Sequence, residues 1–88
     1  MLSLIHRTKG SNFICQVNVL VEVAKESEKA VQFFLIDQPK ITFWMPKSAL
    51  TTERDDDGDI WAFVIKHWFN PSDFIRNAMV DYGNVHRV

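Results

Sequence analysis

The sequence predicts a small α+β domain, either an antiparallel β-meander or a partly open barrel of about five short strands, with one C-terminal helix. Two observations carry this prediction. Through most of residues 2–69, apolar residues alternate with polar ones or form short β-branched and aromatic runs, which is typical of strands. Helical spacing of apolar residues is clear only after Pro71. No repeat, linker or low-complexity tract divides residues 1–88, so a single domain is expected.

The longest predicted strand runs from Phe13 to Lys25. Its apolar residues share one face: Phe13, Cys15, Val17, Val19, Val21 and Val23. Leu2 to Arg7 is predicted as its partner strand. Lys9-Gly10-Ser11-Asn12 is predicted as the hairpin loop between them, because Gly and Asn supply the positive φ that such loops need.

Two further strands are predicted in the middle of the chain. Ala30 to Ile36 is rich in β-branched and aromatic residues and too short for a typical helix, so it is predicted as a central strand. Asp37-Gln38-Pro39-Lys40 then turns the chain into a strand from Ile41 to Met45. Because Pro46 has no N–H to donate, it should end this strand or place it at a sheet edge.

The last third of the chain is predicted as loop, strand and helix. Thr51 to Asp59 is acidic and apolar-free, which indicates a solvated loop, and Ile60 to Phe69 restores strand composition. Asn70 is the predicted N-cap of the helix, with Pro71 at its first position, and Gly83 should follow its C-cap. The apolar residues at helical spacing are Phe74, Ile75, Ala78, Met79 and Tyr82. The phenylalanines expected in the core are Phe33, Phe43, Phe63 and Phe74.

Composition limits the classes of function. Ten Lys and Arg against eleven Asp and Glu give a net charge of −1, so no global field draws the chain to nucleic acid or an anionic membrane. The lone Cys15 excludes an intramolecular disulfide. Residues 1–5 followed by His6-Arg7 do not form a cleavable-signal pattern, and no long apolar span is present. A cytoplasmic setting without membrane contact is expected.

The sequence predicts no enzyme, cofactor or metal. It contains no paired acid and base, nucleophile elbow or phosphate-cradling glycine loop. The acidic segment imitates the start of a calcium loop, but the twelfth position counted from Glu53 is Val64 instead of the required Glu. His6, His67, His86 and Cys15 have no ligand spacing. Another interpretation of Asp55, Asp56 and Asp57 is a phosphate-like surface for a basic partner.

Aromatic residues interleaved with bases are the remaining candidate binding residues. They are Trp44 and Lys47 in one hairpin and Trp61, Lys66 and Trp68 in the last long strand. Such patterns occur in single-strand nucleic-acid binders, where bases stack on rings, and also at the centres of protein interfaces. Because neighbours on a strand face opposite sides, Trp44 should be exposed if Phe43 is buried.

Trp44 to Ser48 also has a purely architectural interpretation. In that interpretation Pro46 stops a strand, Lys47 protects its edge from mispairing, and Ser48 hydrogen-bonds a local backbone group. In the functional interpretation Trp44 anchors a contact, Lys47 supplies charge and Ser48 orients the turn. The residues alone do not decide between the two.

Lys29-Ala30-Val31 followed by a hairpin and Phe43-Trp44-Met45-Pro46-Lys47-Ser48-Ala49-Leu50 covers about a quarter of the chain. It resembles a Trp-x-Pro-Lys-Ser hairpin motif of short, uncharacterised phage and prophage-encoded β-rich proteins. Met45 replaces the usual β-branched residue, and Ala49 a common polar one. The resemblance implies a viral or mobile-element protein in a bacterial host cytoplasm that binds a host factor. It transfers no activity.

Three hypotheses follow. The first is a non-enzymatic accessory protein that binds and modulates a host protein, including a host-defence nuclease complex. The alternative is a single-stranded nucleic-acid-binding module that uses aromatic stacking and local Lys and Arg. Near-neutral charge favours a protein partner over nucleic acid. The third is a homodimer formed through an unprotected strand edge.

Overall fold

The structure, a computed structural model, describes residues 1–9 and 14–87. Its elements in chain order are β1 (Leu2–Lys9), β2 (Ile14–Glu26), β3 (Ala30–Leu35), β4 (Thr42–Pro46), the 3₁₀ helix η1 (Lys47–Ala49), β5 (Leu50–Arg54), β6 (Ile60–Ile65), α1 (Asp73–Tyr82) and β7 (Asn84–Arg87). The predicted α+β class is confirmed, with a sheet that is not closed and one helix near the C-terminus. Residues 10–13, including most of the predicted hairpin loop, lie outside the described residues.

The sheet contains seven strands rather than about five, in the order β4-β3-β2-β1-β6-β5, with β7 also paired to β2. Strands β1 to β4 form an antiparallel meander, as expected for neighbours in sequence. In contrast, β6 joins β1 in parallel, with Ile5 opposite Val64. β7 pairs with Cys15 to Asn18 of β2, the part of β2 that β3 leaves uncovered. The meander is therefore extended by two long-range pairings.

The prediction of a loop over Thr51 to Asp59 is wrong in its first part. Leu50–Arg54 forms β5, which pairs antiparallel with β6, although only its first residue is buried. The turn between them is closed by Asp55 N–H donating to Asp59 O at 2.9 Å and by Gly58 N–H donating to Asp55 O at 3.0 Å. Gly58 has a φ of 86°, the left-handed region that favours glycine. β6 ends at Ile65, earlier than the predicted Phe69.

The main core cluster packs strand residues against α1, and Ile5, Ala62 and Val64 form a second, smaller buried cluster. Phe33 is fully buried, and its ring lies 6.1 Å from that of Phe43 and 5.3 Å from that of Phe63, measured between centroids. Phe63 is partly buried against this cluster. The expectation for Phe74 is wrong: it is 59% exposed, because the buried stripe of α1 passes through Ile75, Ala78 and Met79.

The helix begins later than predicted. α1 starts at Asp73 with Ser72 as its N-cap, and Ser72 Oγ accepts a hydrogen bond from the N–H of Ile75 at 3.3 Å. Asn70 and Pro71 therefore precede the helix, because the cap needs a side-chain oxygen within reach of the first turn and Ser72 supplies it. Within the described residues, no helix is both long and apolar enough to cross a membrane.

Gly83 is itself the C-cap of α1, one position earlier than the predicted place after the C-cap. Its φ of −107° is open to any residue. However, a Cβ atom at this position would lie 2.3 Å from Met79 O and 2.8 Å from Asn18 O. Glycine is needed here because the chain passes close to α1 and β2 on its way into β7.

Only η1 separates β4 from β5, the two outer strands of the path. The N–H of Lys47 donates to Lys29 O, and Ala49 O accepts from the N–H of Lys66, both at 2.8 Å. The sheet thus curls until its outer strands are connected by one short segment, which is a partly open barrel. A cavity of about 240 Å³ lies beside this connection, lined by Glu26, Val31, Lys47, Leu50, Thr52, Ile60 and Phe63.

Candidate functional site

All three tryptophans are exposed: Trp44 by 47%, Trp61 by 47% and Trp68 by 57%. Trp44 follows the predicted alternation, since its neighbours Phe43 and Met45 are buried. Trp61 lies at an irregularity in the pairing of β6 with β5, and Trp68 lies in the segment between β6 and α1. In the part of the chain that the structure describes, no ring contact joins two tryptophans. Each tryptophan lies on a different element or segment and has its own neighbours.

The surface around Trp44 combines aromatic rings with charges of both signs. The register places Gln32 opposite Trp44 and Phe34 opposite Thr42, so Phe34 is diagonal to Trp44 on the outer side of the sheet. On β2, Glu22 lies opposite Phe34 and Lys25 opposite Gln32. We name this surface the tryptophan face: Trp44, Gln32, Phe34, Glu22 and Lys25.

The remaining residues of the hairpin motif have mainly local contacts. Pro46 ends β4, and β4 lies at an end of the strand order, as predicted. Lys47 lies in η1, where its Nζ is 3.4 Å from Glu26 Oε2. Ser48 is exposed, and its predicted side-chain bond to a local backbone group is not formed with any described residue. The ammonium group of Lys47 therefore forms an ion pair with Glu26.

The acidic segment forms the tip of the β5–β6 hairpin. Asp55 has a structural role, because its Oδ1 accepts the N–H groups of Asp57 at 3.0 Å and Asp59 at 2.9 Å. Asp56 and Asp57 are exposed. Across residues 1–9 and 14–87, no three His, Cys, Asp or Glu side chains come together in a way that could hold a metal ion.

A cleft of about 600 Å³ lies where β1, the segment after β6 and the start of α1 meet. We name it the basic cleft; its lining residues are His6, Arg7, Thr8, His67, Phe69, Asn70, Pro71 and Arg76. The parallel pairing creates it, because His6 lies opposite Ile65 and both strands run out at the same end of the sheet. The two predicted binding residues nearest to it in sequence are Lys66, which is half-buried, and Trp68.

Hydrogen bonds hold the two guanidinium groups of the basic cleft in place. Arg7 Nε donates to Gln16 Oε1 at 2.8 Å. Arg76 Nη2 donates to Pro71 O and to Asp73 Oδ1, each at 3.2 Å. Each head group still has N–H groups without a partner among the described residues.

His6 is the one polar side chain among the described residues that is classed as buried, at 8% exposure. Burial, and secondarily the positive charge of Arg76, lower its pKa below the usual value of 6.5. His6 therefore faces the cleft in its neutral form at neutral pH.

Sequence reasoning did not predict the basic cleft. His6, Arg7 and Arg76 are far apart along the chain, and only the pairing of β1 with β6 brings them together. One signal was available: His6 follows Leu4 at strand spacing and so falls on an apolar, core-facing side. A titratable residue at such a position marks either a satisfied core group or the wall of a site.

Comparison of the chain with protein-family models, with curated proteins and with solved structures found no match in any of the three. The functional argument therefore depends on the geometry and chemistry of these surfaces.

Proposed function

We propose that this chain is a non-enzymatic binding protein whose tryptophan face recognises another protein. The observation that carries the proposal is the exposure of Trp44, at 47%, on an outer strand whose adjacent residues are buried. A large apolar ring in water costs free energy that burial in a partner would recover. Tryptophan is also enriched among the residues that dominate the binding energy of protein interfaces.

The charges around Trp44 favour protein over nucleic acid as the ligand of this face. Glu22 and Lys25 place one charge of each sign beside the rings, and Lys47 is paired with Glu26. A nucleic-acid surface instead needs a continuous run of positive charge along the phosphates. Mixed charge around an aromatic centre is the usual composition of a protein-binding rim.

The partner we propose is a host protein in a bacterial cytoplasm, bound by a phage-type accessory protein. The resemblance of the Trp44 to Ser48 motif supports this context. The exposed Asp56 and Asp57 at the hairpin tip add support, because a cluster of carboxylates resembles phosphate to a basic partner such as a nuclease of host defence. Inhibition of such a nuclease is the form of modulation that fits both observations.

The test is capture of a partner by the tagged full chain from a bacterial lysate, with two substitutions run in parallel. Trp44→Ala should abolish capture, whereas Trp68→Ala, which removes an exposed ring outside the tryptophan face, should retain it. With the captured protein purified, Trp44→Ala should weaken binding by about 2 kcal/mol or more, roughly thirtyfold. Failure to capture any protein, or capture that Trp44→Ala leaves unchanged, would contradict the proposal.

Two alternatives have specific tests. Single-strand binding by Trp44 and Lys47 requires tryptophan fluorescence to change on adding an oligonucleotide, in a salt-sensitive manner. Self-association is favoured by the position of β4 at the end of the strand order. Sedimentation at high concentration measures it directly, and a monomer there excludes it.

A further inference from the structure

The basic cleft brings together two guanidinium groups, of Arg7 and Arg76, from distant parts of the chain. Its titratable lining residues are His6, Arg7, His67 and Arg76, and none of the described carboxylates lines it. Asp73, whose side chain is 92% exposed, accepts a hydrogen bond from Arg76 Nη2 at 3.2 Å. The acidic hairpin lies at the opposite end of β6. A chain with a net charge of −1 thus has a local positive site.

Hydrogen bonds orient both arginine side chains of the cleft. Arg7 donates to Gln16 and Arg76 donates to Pro71, and each guanidinium group has other N–H groups that can donate to a ligand. His6 lines the cleft at 8% exposure. Among the described residues no fully buried side-chain nitrogen or oxygen lacks a hydrogen-bond partner, so any ring nitrogen of His6 that no protein group satisfies is accessible to a ligand.

We propose that the basic cleft binds the phosphate group of a small phosphate monoester of about nucleotide size. Guanidinium groups match the geometry of phosphate oxygens, and both Arg7 and Arg76 line the cleft, where a neutral histidine ring can donate one further N–H. The volume of about 600 Å³ exceeds what a phosphate ion fills and falls in the usual range for small-molecule sites. Phe69 lines the cleft, with the exposed ring of Trp68 set edge-on to it at 6.1 Å, so the organic part of the ligand meets apolar surface.

The test titrates the full chain with thymidine 5′-monophosphate, thymidine, inorganic phosphate and a short oligothymidylate without terminal phosphates, at constant ionic strength. Binding is followed by calorimetry and by backbone amide chemical shifts. We expect saturable binding of the monophosphate and no binding of thymidine, with shifts at His6, His67 and Phe69. Inorganic phosphate should compete for the same site and bind more weakly.

Arg7→Gln and Arg76→Gln should each weaken monophosphate binding about tenfold or more. Lys25→Gln removes the same charge from the tryptophan face and should leave the affinity unchanged. Absence of saturable binding, or an equal loss in Lys25→Gln, would overturn the proposal. Tighter binding of the oligothymidylate than of the monophosphate would also overturn it and identify a nucleic-acid strand instead. Because Trp44→Ala should leave monophosphate affinity unchanged, failure here is distinct from failure of the proposed protein-binding function.

Discussion

Lys47 Nζ lies 3.4 Å from Glu26 Oε2, so one ion pair ties the end of β2 to η1 where β4 gives way to β5. Both side chains are well exposed, at 39% for Lys47 and 61% for Glu26. Solvent screening keeps such pairs weak. We expect Lys47→Ala to lower the free energy of unfolding by less than about 1 kcal/mol. Urea denaturation measures this, with Lys25→Ala as the exposed control; a loss well above that value would show a structural role for the pair.

Phe33 and Phe74 should respond oppositely to truncation. Phe33 is fully buried and contacts the rings of Phe43 and Phe63, whereas Phe74 is 59% exposed. Phe33→Ala should cost about 3–5 kcal/mol of unfolding free energy, from lost burial and a residual cavity. Phe74→Ala should cost about 0.5 kcal/mol or less. Comparable losses for the two variants would contradict the position of α1 on the sheet.

Gly83 and Gly58 require glycine for different reasons, which Gly83→Ala and Gly58→Ala can compare. At Gly83 the added Cβ would meet backbone oxygens at 2.3 and 2.8 Å, so α1 and β2 would have to separate. At Gly58 the space is open, and the cost comes only from the φ of 86°. We expect a loss of about 3 kcal/mol or more for Gly83→Ala and about 1–2 kcal/mol for Gly58→Ala. Thermal or urea unfolding measures both, and the reverse order would refute the close approach at Gly83.

His6 should make stability depend on pH in mildly acidic solution. Its folded-state pKa is lowered, so below about pH 6.5 the unfolded chain binds more protons than the folded chain. The free energy of unfolding should therefore fall as the pH drops from 6.5 toward the folded pKa, and this contribution should vanish above that window. The charged groups that line the cleft with His6 are Arg7 and Arg76, with Asp73 beyond Arg76, and the ring of His67 lines it too.

The measurement is urea denaturation at about pH 5 and about pH 7.5, where histidine charge differs most. His6→Gln should give a smaller difference between the two pH values than the unsubstituted chain. Arg76→Gln should also reduce the difference, because the second cause of the lowered pKa is removed. An unchanged difference in His6→Gln would show that other groups set the acid sensitivity.

Local patterns in the sequence were sufficient for most strands. Alternation in β2 and the apolar composition of β3 and β4 identify them because their side chains meet the core directly. The sequence does not predict β5, because only Leu50 of its five residues is buried. Backbone pairing with β6 defines this strand. β7 was missed for a similar reason, since pairing with β2 defines it.

The two candidate sites also differ in whether the sequence could predict them. Exposure of Trp44 could be predicted, because it depends only on alternation next to the buried Phe43. The basic cleft could not, because it depends on the parallel pairing of β1 with β6, which joins residues as far apart in sequence as Ile5 and Val64. The start of α1 was placed too early because Asn70-Pro71 and Ser72 both offer cap chemistry, and only the packed structure selects Ser72.

The short connection through η1 bears on how the molecule could associate. Since only Lys47 to Ala49 separate the outer strands, a foreign strand added beside β4 would occupy space next to the first residues of β5. A strand added at β4 would therefore obstruct the addition of a strand at β5. We expect association through β4 to stop at a closed pair, without further strands added at β5.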